Sequence, residues 1–253
     1  MNWNLIGIIP LAFVCEFSNS SLGVGYGTTL TPLLIIIGFE PLQIVPAVLL
    51  SEFVSGLLAA FLHHKQKNVN FNHDSIDTKI ALLLAIFSVI GTIIAVIIAV
   101  NIPKNILKLI ISIIVLSMGI IIIFTINYKP KFSWIKITAL GTIASLNKGL
   151  SGGGYGPLVM GGQMLSGVGV KNAIGITSLA EGITCLAGVI LYFILSDKIN
   201  WILSPFLVIG AVLSVPFSVY VVKKIPEKQV KIFVSIFILF LGTFSLFKLI
   251  FKF

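Results

Sequence analysis

Four ionisable side chains of this chain stand inside otherwise apolar stretches. They are the carboxylates of Glu16, Glu52 and Glu181 and the ammonium group of Lys148. A charged residue at the centre of a membrane helix costs about 2.5–3.5 kcal/mol to insert, so such residues usually face the protein interior and take part in transport. Because burial favours the neutral form of a carboxylic acid, we expect these glutamates to carry a coupled proton or to shape a binding site. The alternative for Glu52 and Glu181 is structural, as hydrogen-bonding partners of nearby backbone.

Two glycine-rich stretches, 20–27 and 148–156, offer a second kind of chemistry. Glycine permits positive φ, and a helix that begins after such a break presents unpaired N–H groups and a partial positive charge. Paired breaks of this type can bind anions near the middle of a membrane transporter. We predict a substrate-binding anion site made by residues of both breaks: Ser20, Ser21, Gly23, Gly25, Tyr26, Lys148, Ser151, Gly152, Gly153, Gly154 and Tyr155. The alternative is that the glycines only let helices pack closely.

Lys148 is the strongest cationic candidate for that site. All 17 basic residues of the chain are lysines, and Lys148 lies far from the lysine-rich loops. Beside a group of backbone amides, its ammonium group would add a full positive charge for an anionic substrate. Two alternatives stay open at this point: a buried ion pair with Glu16, or a side chain that extends to the membrane interface.

The two halves of the chain resemble each other. A shift of 129 residues aligns Gly23 with Gly152, Gly25 with Gly154, Tyr26 with Tyr155, Gly38 with Gly167 and Glu52 with Glu181. A shift of 123 residues continues the match from Ile102 and Pro103 to Ile225 and Pro226. Identical glycine, proline and glutamate residues in fixed register indicate an internal duplication. We therefore predict two membrane repeats, 1–128 and 129–253, within one integrated transmembrane domain.

The composition indicates a membrane protein. Hydrophobic residues make up 57% of the chain and charged residues 10%, whereas a soluble domain has about 25% charged residues. Five apolar runs approach or exceed the roughly 20 residues that span a bilayer: 78–100, 106–126, 172–195, 201–222 and 230–250. The predicted fold is an all-α, polytopic helical membrane protein with about 8–10 membrane segments.

Each predicted repeat has the same order of elements. An apolar helix (4–18 or 134–147) leads into a glycine-rich break, a short segment (28–38 or 157–166) follows, and three longer helices complete the repeat. Short segments of this length are typical of broken or re-entrant helices that face protein or a water-filled cavity. The distribution of lysines among the loops slightly favours repeats that are inverted relative to each other.

Several other function classes receive no support. The positive-inside rule explains the net charge of +9 without nucleic acid. Cys15 and Cys185 lie alone in apolar segments, which predicts neither a disulfide nor a metal site. The histidines all fall in one polar loop, 63–77, so no Ser–His–Asp or Cys–His arrangement is indicated. We predict that the protein is not an enzyme and needs no cofactor.

At these motifs the sequence resembles the sulfite exporter TauE/SafE family, also described as toluene-sulfonate uptake permeases. The resemblance covers nearly the whole chain and is carried by 22–27, 31–33, 149–157 and 172–178. The segment 63–69 is also similar to a basic turn of that family. The resemblance implies transport of sulfur-containing anions such as sulfite, sulfoacetate or other organosulfonates, without ATP. Lys148 and the Glu52/Glu181 pair depart from the usual family pattern.

These observations combine into one functional prediction. We expect a secondary permease of a prokaryotic cell membrane that moves a small sulfur-containing anion by alternating access of its two repeats. Its partners would be the anionic substrate and the lipid bilayer. Glu52, Glu181 and Glu16 would couple a proton or shape the site. The alternative is a cation or metal transporter that uses the same glutamates as oxygen ligands.

Overall fold

A computed structural model describes most of the chain. The described residues are 6–23, 25–125, 133–164, 166–196 and 201–222, with single positions 236, 239, 240, 243 and 247. Within them the chain is helical and contains no strand, so the predicted all-α class is confirmed. The continuous described ranges contain the helices α1 (Ile8–Leu22), α2 (Tyr26–Ile37), α3 (Pro41–Lys65), α4 (Ile76–Asn101), α5 (Lys104–Thr125), α6 (Trp134–Ser151), α7 (Tyr155–Met164), α8 (Val170–Leu195) and α9 (Leu203–Val221).

Two earlier predictions fall largely outside this part of the chain. The apolar run 230–250 lies outside the described residues, apart from single positions. The proposed boundary between repeats, at residues 128 and 129, lies in the gap 126–132. The division into two repeats therefore stays a prediction.

Within the described residues, four helices are long and apolar enough to cross a bilayer: α3, α4, α8 and α9. In α4, isoleucines such as Ile86 and Ile90 are about half exposed, whereas Ser88, Gly91 and Thr92 are buried. This is the distribution of a helix whose apolar side faces lipid and whose small or polar side faces other helices. The wide exposure of apolar side chains is consistent with a lipid-facing surface.

The first helix of each predicted repeat is longer than the sequence suggested. Helix α1 extends to Leu22 and α6 to Ser151. Ser20, Ser21 and Lys148 therefore lie in the last turns of these helices, and the irregular backbone is shorter than predicted. Serine and lysine are compatible with a helical backbone, so each helix continues until a glycine takes a left-handed conformation.

Glycines with positive φ end these helices and permit the next ones to begin. Gly23 has φ of 65° and its N–H bonds to the Asn19 carbonyl; Gly152 has φ of 71° and its N–H bonds to the Lys148 carbonyl at 2.8 Å. Two residues later, Gly25 and Gly154 also have positive φ. Residues with a Cβ rarely adopt this conformation, so glycine is required at each turn.

The helices pack in pairs around a central contact between α3 and α8. Helix α4 packs on α6, α1 packs on α9, and each of α3 and α8 also contacts α9 or α4. Small residues bring the central pair close: a Cβ on Gly56 would lie 3.1 Å from the Ser178 carbonyl and 3.3 Å from Gly182. Glu52 is one turn before Gly56 and Glu181 is next to Gly182. The close approach of α3 and α8 therefore brings the two carboxylates to the same level of the protein.

Candidate functional site

Lys148 joins the two central helices through ion pairs. Its Nζ donates hydrogen bonds to Glu181 Oε1, at 2.7 Å, and to Glu52 Oε2. Lys148 is 0% exposed, Glu52 1% and Glu181 2%. We call Lys148, Glu52 and Glu181 the ion triad. The structure thus brings together three of the charged residues that the sequence singled out, from helices α6, α3 and α8.

The ion triad contains more acid than base. A buried ion pair is tolerated only where its geometry and hydrogen bonds offset the loss of hydration. Here one ammonium group neutralises one of two carboxylates, so this buried site must accommodate either a residual negative charge or a bound proton. A single Lys–Glu pair would be balanced.

Glu16 lies near the ion triad but does not pair with Lys148. It is fully buried, and it accepts hydrogen bonds from Ser20 Oγ and from Asn19 Nδ2 at 3.4 Å, both on its own helix. It interacts electrostatically with Glu181 and Lys148. The alternative that Lys148 pairs with Glu16 is therefore wrong, as is the alternative that Lys148 extends to an interface. The reason is packing: α3 and α8 place two carboxylates against the lysine.

The two glycine-rich breaks meet backbone to backbone. A Cβ on Gly27 would overlap the carbonyl of Gly152, and a Cβ on Gly153 would overlap the amide of Thr28. One hydrogen bond links the breaks, from the Gly154 N–H to Thr28 Oγ1 at 2.7 Å. The structure therefore places the breaks together, one turn beyond Lys148.

Several amides of the two breaks already have protein acceptors. The Gly25 N–H donates to Asn19 Oδ1 at 3.0 Å, and the Gly153 N–H donates to Ser151 Oγ at 3.0 Å. The predicted hydroxyl ligands are also engaged: Ser20 bonds to Glu16, Ser21 to the Phe17 carbonyl, and Ser151 to the Asn147 carbonyl. An anion that draws on these amides must therefore replace protein oxygen atoms, whereas the sequence suggested that they would be free.

Three buried oxygen atoms of α2 and α3 have no hydrogen-bond partner within the described part of the chain. They are Thr31 Oγ1, Glu52 Oε1 and Ser55 Oγ. Thr31 Oγ1 lies beside the second break, where a Cβ on Gly152 would be 3.4 Å away. Buried polar atoms are nearly always paired, so each of these three oxygens could take part in a further hydrogen bond.

Tyr26 and Tyr155 follow equivalent positions of the two breaks and are both fully buried. The Tyr26 hydroxyl is 3.2 Å from Ser51 Oγ, and the Tyr155 hydroxyl is 2.8 Å from Ser88 Oγ. Each phenol thus bonds to a serine on a long helix, α3 or α4. These contacts anchor the starts of α2 and α7 beside the point where the two breaks meet.

Sequence reasoning missed four residues of this region. Asn19, Thr28 and Thr31 contribute side-chain oxygens at the breaks, and His63 bonds through Nε2 to the Ser20 carbonyl at 3.2 Å. Asn19 could have been found, because the shift of 129 residues aligns it with Lys148. His63 was assigned to a polar loop, but it is buried in the last turn of α3.

The described residues contain no group of three or more His, Cys, Asp or Glu side chains placed to hold a metal ion. Cys15 and Cys185 are both buried and are not joined to each other.

Comparison with known proteins identifies a transporter. The family model described as sulfite exporter TauE/SafE matches residues 8–245. A Bacillus subtilis (strain 168) protein named probable membrane transporter protein YtnM is 26% identical over an alignment 258 positions long, which covers 94% of this chain and 82% of that protein. No solved structure matches the chain.

These matches and the apolar helices agree. The protein is a multi-pass permease of a prokaryotic plasma membrane, with a small-molecule substrate, and it is not an enzyme. The resemblance that was based on the glycine-rich motifs is confirmed over nearly the whole chain. The chain belongs to the sulfite exporter TauE/SafE family.

Proposed function

We propose that this permease moves a small sulfur-containing anion together with protons, and that the ion triad is the coupling site. The observation that carries the proposal is Lys148, whose ammonium group is held by two carboxylates in a fully buried position. An oxyanion presents the same kind of oxygen atoms to an ammonium group as a carboxylate does. Substrate and glutamates can therefore compete for Lys148.

The same competition extends to the breaks. Side-chain oxygens of Asn19, Ser151 and Thr28 accept the amide hydrogens of Gly25, Gly153 and Gly154. A sulfite or sulfonate group carries three oxygens and can replace such acceptors without leaving an amide unpaired. The unpaired Thr31 hydroxyl beside Gly152 supplies a further donor. Both the charge of Lys148 and the hydrogen bonds where the two breaks meet thus suit an oxyanion.

Protonation decides which partner holds Lys148. When Glu52 and Glu181 are ionised, they neutralise the ammonium group and repel an anion. When they take up protons, the positive charge of Lys148 is released for the substrate. Two protons and a doubly charged anion would cross together without net charge movement, which avoids an uncompensated charge in the bilayer.

We further propose that residues 1–128 and 129–253 are inverted repeats that rock against each other. Three pairs of glycines aligned by the shift of 129 residues support this: 23 with 152, 25 with 154 and 38 with 167 all have positive φ. The contacts support it as well, because exchanging corresponding helices turns the α4–α6 contact into α9–α1 and the α4–α8 contact into α9–α3.

A transport assay in proteoliposomes tests the coupling. Sulfite, sulfoacetate and sulfate would be supplied outside vesicles that contain a pH-sensitive dye, with the parent protein and Glu181→Gln. We expect one sulfur anion to carry protons with it in the parent, and proton movement to fall at least about tenfold in the variant, because Glu181 no longer takes up a proton. Asp74→Asn is the matched control, since Asp74 is 96% exposed.

Two results would contradict the proposal. Anion transport with no proton movement in the parent would remove the coupling role of the ion triad. Transport of a cation, unaffected by any sulfur anion but lost in Glu181→Gln, would favour the carboxylate-based cation transporter instead.

A further inference from the structure

A cavity of about 520 Å³ opens at one end of α3, away from the ion triad. Its wall is formed by the end of α3, the segment that follows, and the first turn of α8. Six polar residues line it: Lys65, Lys67, Asn68, Asn70, Asn72 and Asn172. His64 and Val69 complete the wall.

The charge of this cavity is positive. Among the described residues, two lysines line it and no carboxylate does. The nearest buried acid, Asp77, is satisfied by protein donors: its Oδ2 accepts the Asn70 N–H at 2.9 Å and the Asn172 Nδ2 at 2.7 Å. Lysine ammonium groups and asparagine amides are the donors that bind oxyanions in proteins. The composition of the wall therefore favours an anionic ligand.

Lys67 occupies a strained backbone position in this wall. Its φ is 59°, and within the described residues it is the one non-glycine residue with positive φ. The conformation is fixed by local hydrogen bonds: the Lys67 N–H bonds to the His64 carbonyl at 3.0 Å, and the Asn68 N–H bonds to the His63 carbonyl at 2.9 Å. Glycine would adopt it without strain, whereas lysine costs about 1 kcal/mol or more. A retained cost of this kind points to a use for the side chain.

Asn68 gives a second, independent indication of a ligand. It lines the cavity, it is 3% exposed, and its Oδ1 has no hydrogen-bond partner in the described part of the chain. A buried amide oxygen without a donor is unusual. The hydroxyl of a partly protonated oxyanion, such as hydrogen phosphate or bisulfite, would satisfy it.

We propose that this cavity is a second anion-binding site, which takes a phosphate or sulfite group through Lys65, Lys67 and the asparagine amides. The group can belong to a free anion or to a lipid headgroup, because both present the same oxygens. The site is separate from the ion triad, and its test does not depend on transport through the triad.

The cavity is connected to the first break by hydrogen bonds. Asn68 Nδ2 donates to His63 Nδ1 at 3.1 Å, and His63 Nε2 donates to the Ser20 carbonyl at 3.2 Å. Ser20 Oγ in turn donates to Glu16. An anion that draws on Asn68 therefore acts on the end of α1, so occupancy of the cavity would influence the break.

Protection of an introduced thiol tests the site. Asn72→Cys would place a thiol in the wall, and the two native cysteines are buried, so a neutral maleimide reports on position 72 alone. The purified variant would be labelled in phosphatidylcholine vesicles with inorganic phosphate, and in vesicles that contain phosphatidylglycerol. We expect labelling to slow about threefold at a concentration of twice the Kd, because only the unoccupied site reacts.

The second variant is Lys67→Gly in the same background. It removes the cation and relieves the backbone strain, so the melting temperature should be maintained or rise while protection is lost. Lys79→Gln is the matched control, because Lys79 is exposed on the first turn of α4 and does not line the cavity. It should keep the protection.

The outcomes separate the two sources of the anion. Protection by phosphate in neutral lipid identifies a free-anion site, and protection only with phosphatidylglycerol identifies a headgroup site. No protection under any condition, or protection that survives Lys67→Gly unchanged, would overturn the proposal.

Discussion

Lys148 and Glu181 are 33 residues apart in the chain, yet Lys148 Nζ donates to Glu181 Oε1 over 2.7 Å in a region closed to solvent. The pair joins α6 to α8, and Glu52 joins both to α3. A lysine that links three helices in this way contributes to stability as well as to the proposed transport. The two contributions can be separated by substitution.

The first prediction concerns stability. Lys148→Met leaves two buried carboxylates without a counter-charge, so the free energy of unfolding should fall by about 3–5 kcal/mol. Adding Glu52→Gln and Glu181→Gln to that variant removes the unpaired charges and should restore most of the loss. Melting temperatures in detergent measure both effects. Lys79→Met, at an exposed lysine, should change little, and a Lys148→Met protein as stable as the parent would refute the prediction.

The second prediction concerns pH. If the carboxylates compete with the substrate, acid removes the competitor, so anion affinity should rise as the pH falls from about 8 to 6. Because proton uptake and anion binding are thermodynamically linked, the anion affinity can rise by at most about tenfold per pH unit for each proton taken up. Methanesulfonate is a suitable ligand, because a sulfonate keeps its charge over this range.

The groups that surround the carboxylates must be included in that test. The ionisable side chains close to Glu52 and Glu181 are Glu16, Tyr26, Lys148, Tyr155 and Cys185. The double variant Glu52→Gln/Glu181→Gln should bind methanesulfonate equally well at both pH values. A double variant that keeps the parent's pH dependence would assign the protons to another of these groups.

The third prediction concerns the crossing of the breaks. Gly27→Ala and Gly153→Ala each insert a methyl group into the backbone of the other break, so each should lower the unfolding free energy by about 3 kcal/mol or more. Gly169→Ala is the control, because a Cβ there would meet one side-chain oxygen at 3.3 Å and nothing closer. Equal expression and melting temperature of all three variants would show that the breaks do not touch.

The fourth prediction concerns the tyrosine anchors. The hydrogen bond between Tyr155 and Ser88, at 2.8 Å, should contribute about 1 kcal/mol. Tyr155→Phe, Ser88→Ala and the double variant form a thermodynamic cycle that measures this energy directly. The corresponding cycle for Tyr26 and Ser51 should give a similar value. A coupling energy of zero in both cycles would mean that other contacts hold the starts of α2 and α7.

The fold class and the family could be predicted from the sequence because their signals are local. Apolar runs define helices, and glycines such as Gly23 and Gly152 mark the positions where a helix must stop. The exact end of a helix depends on which residue turns left-handed, and this is why α6 continues through Lys148. The helical position of His63 was missed for a related reason, since polar residues around it resembled a loop.

The partners of Lys148 could not be predicted, because they depend on tertiary packing. Glu16 is on the equivalent first helix and seemed the natural partner by position. Contact between Gly56 and Gly182 instead draws α3 and α8 together and presents Glu52 and Glu181 to the lysine. Sequence analysis could name the charged residues, but only the helix packing shows which of them meet.

The backbone contact between Gly27 and Gly153 has one further consequence. Helices that interlock through large side chains must lift those side chains over one another before they can turn. At this crossing no side chain stands between the two main chains, so they can pivot there while the buried surface stays nearly constant. The glycines would then serve as a hinge point between the halves of the permease, beside the lysine whose partners we propose to change during transport.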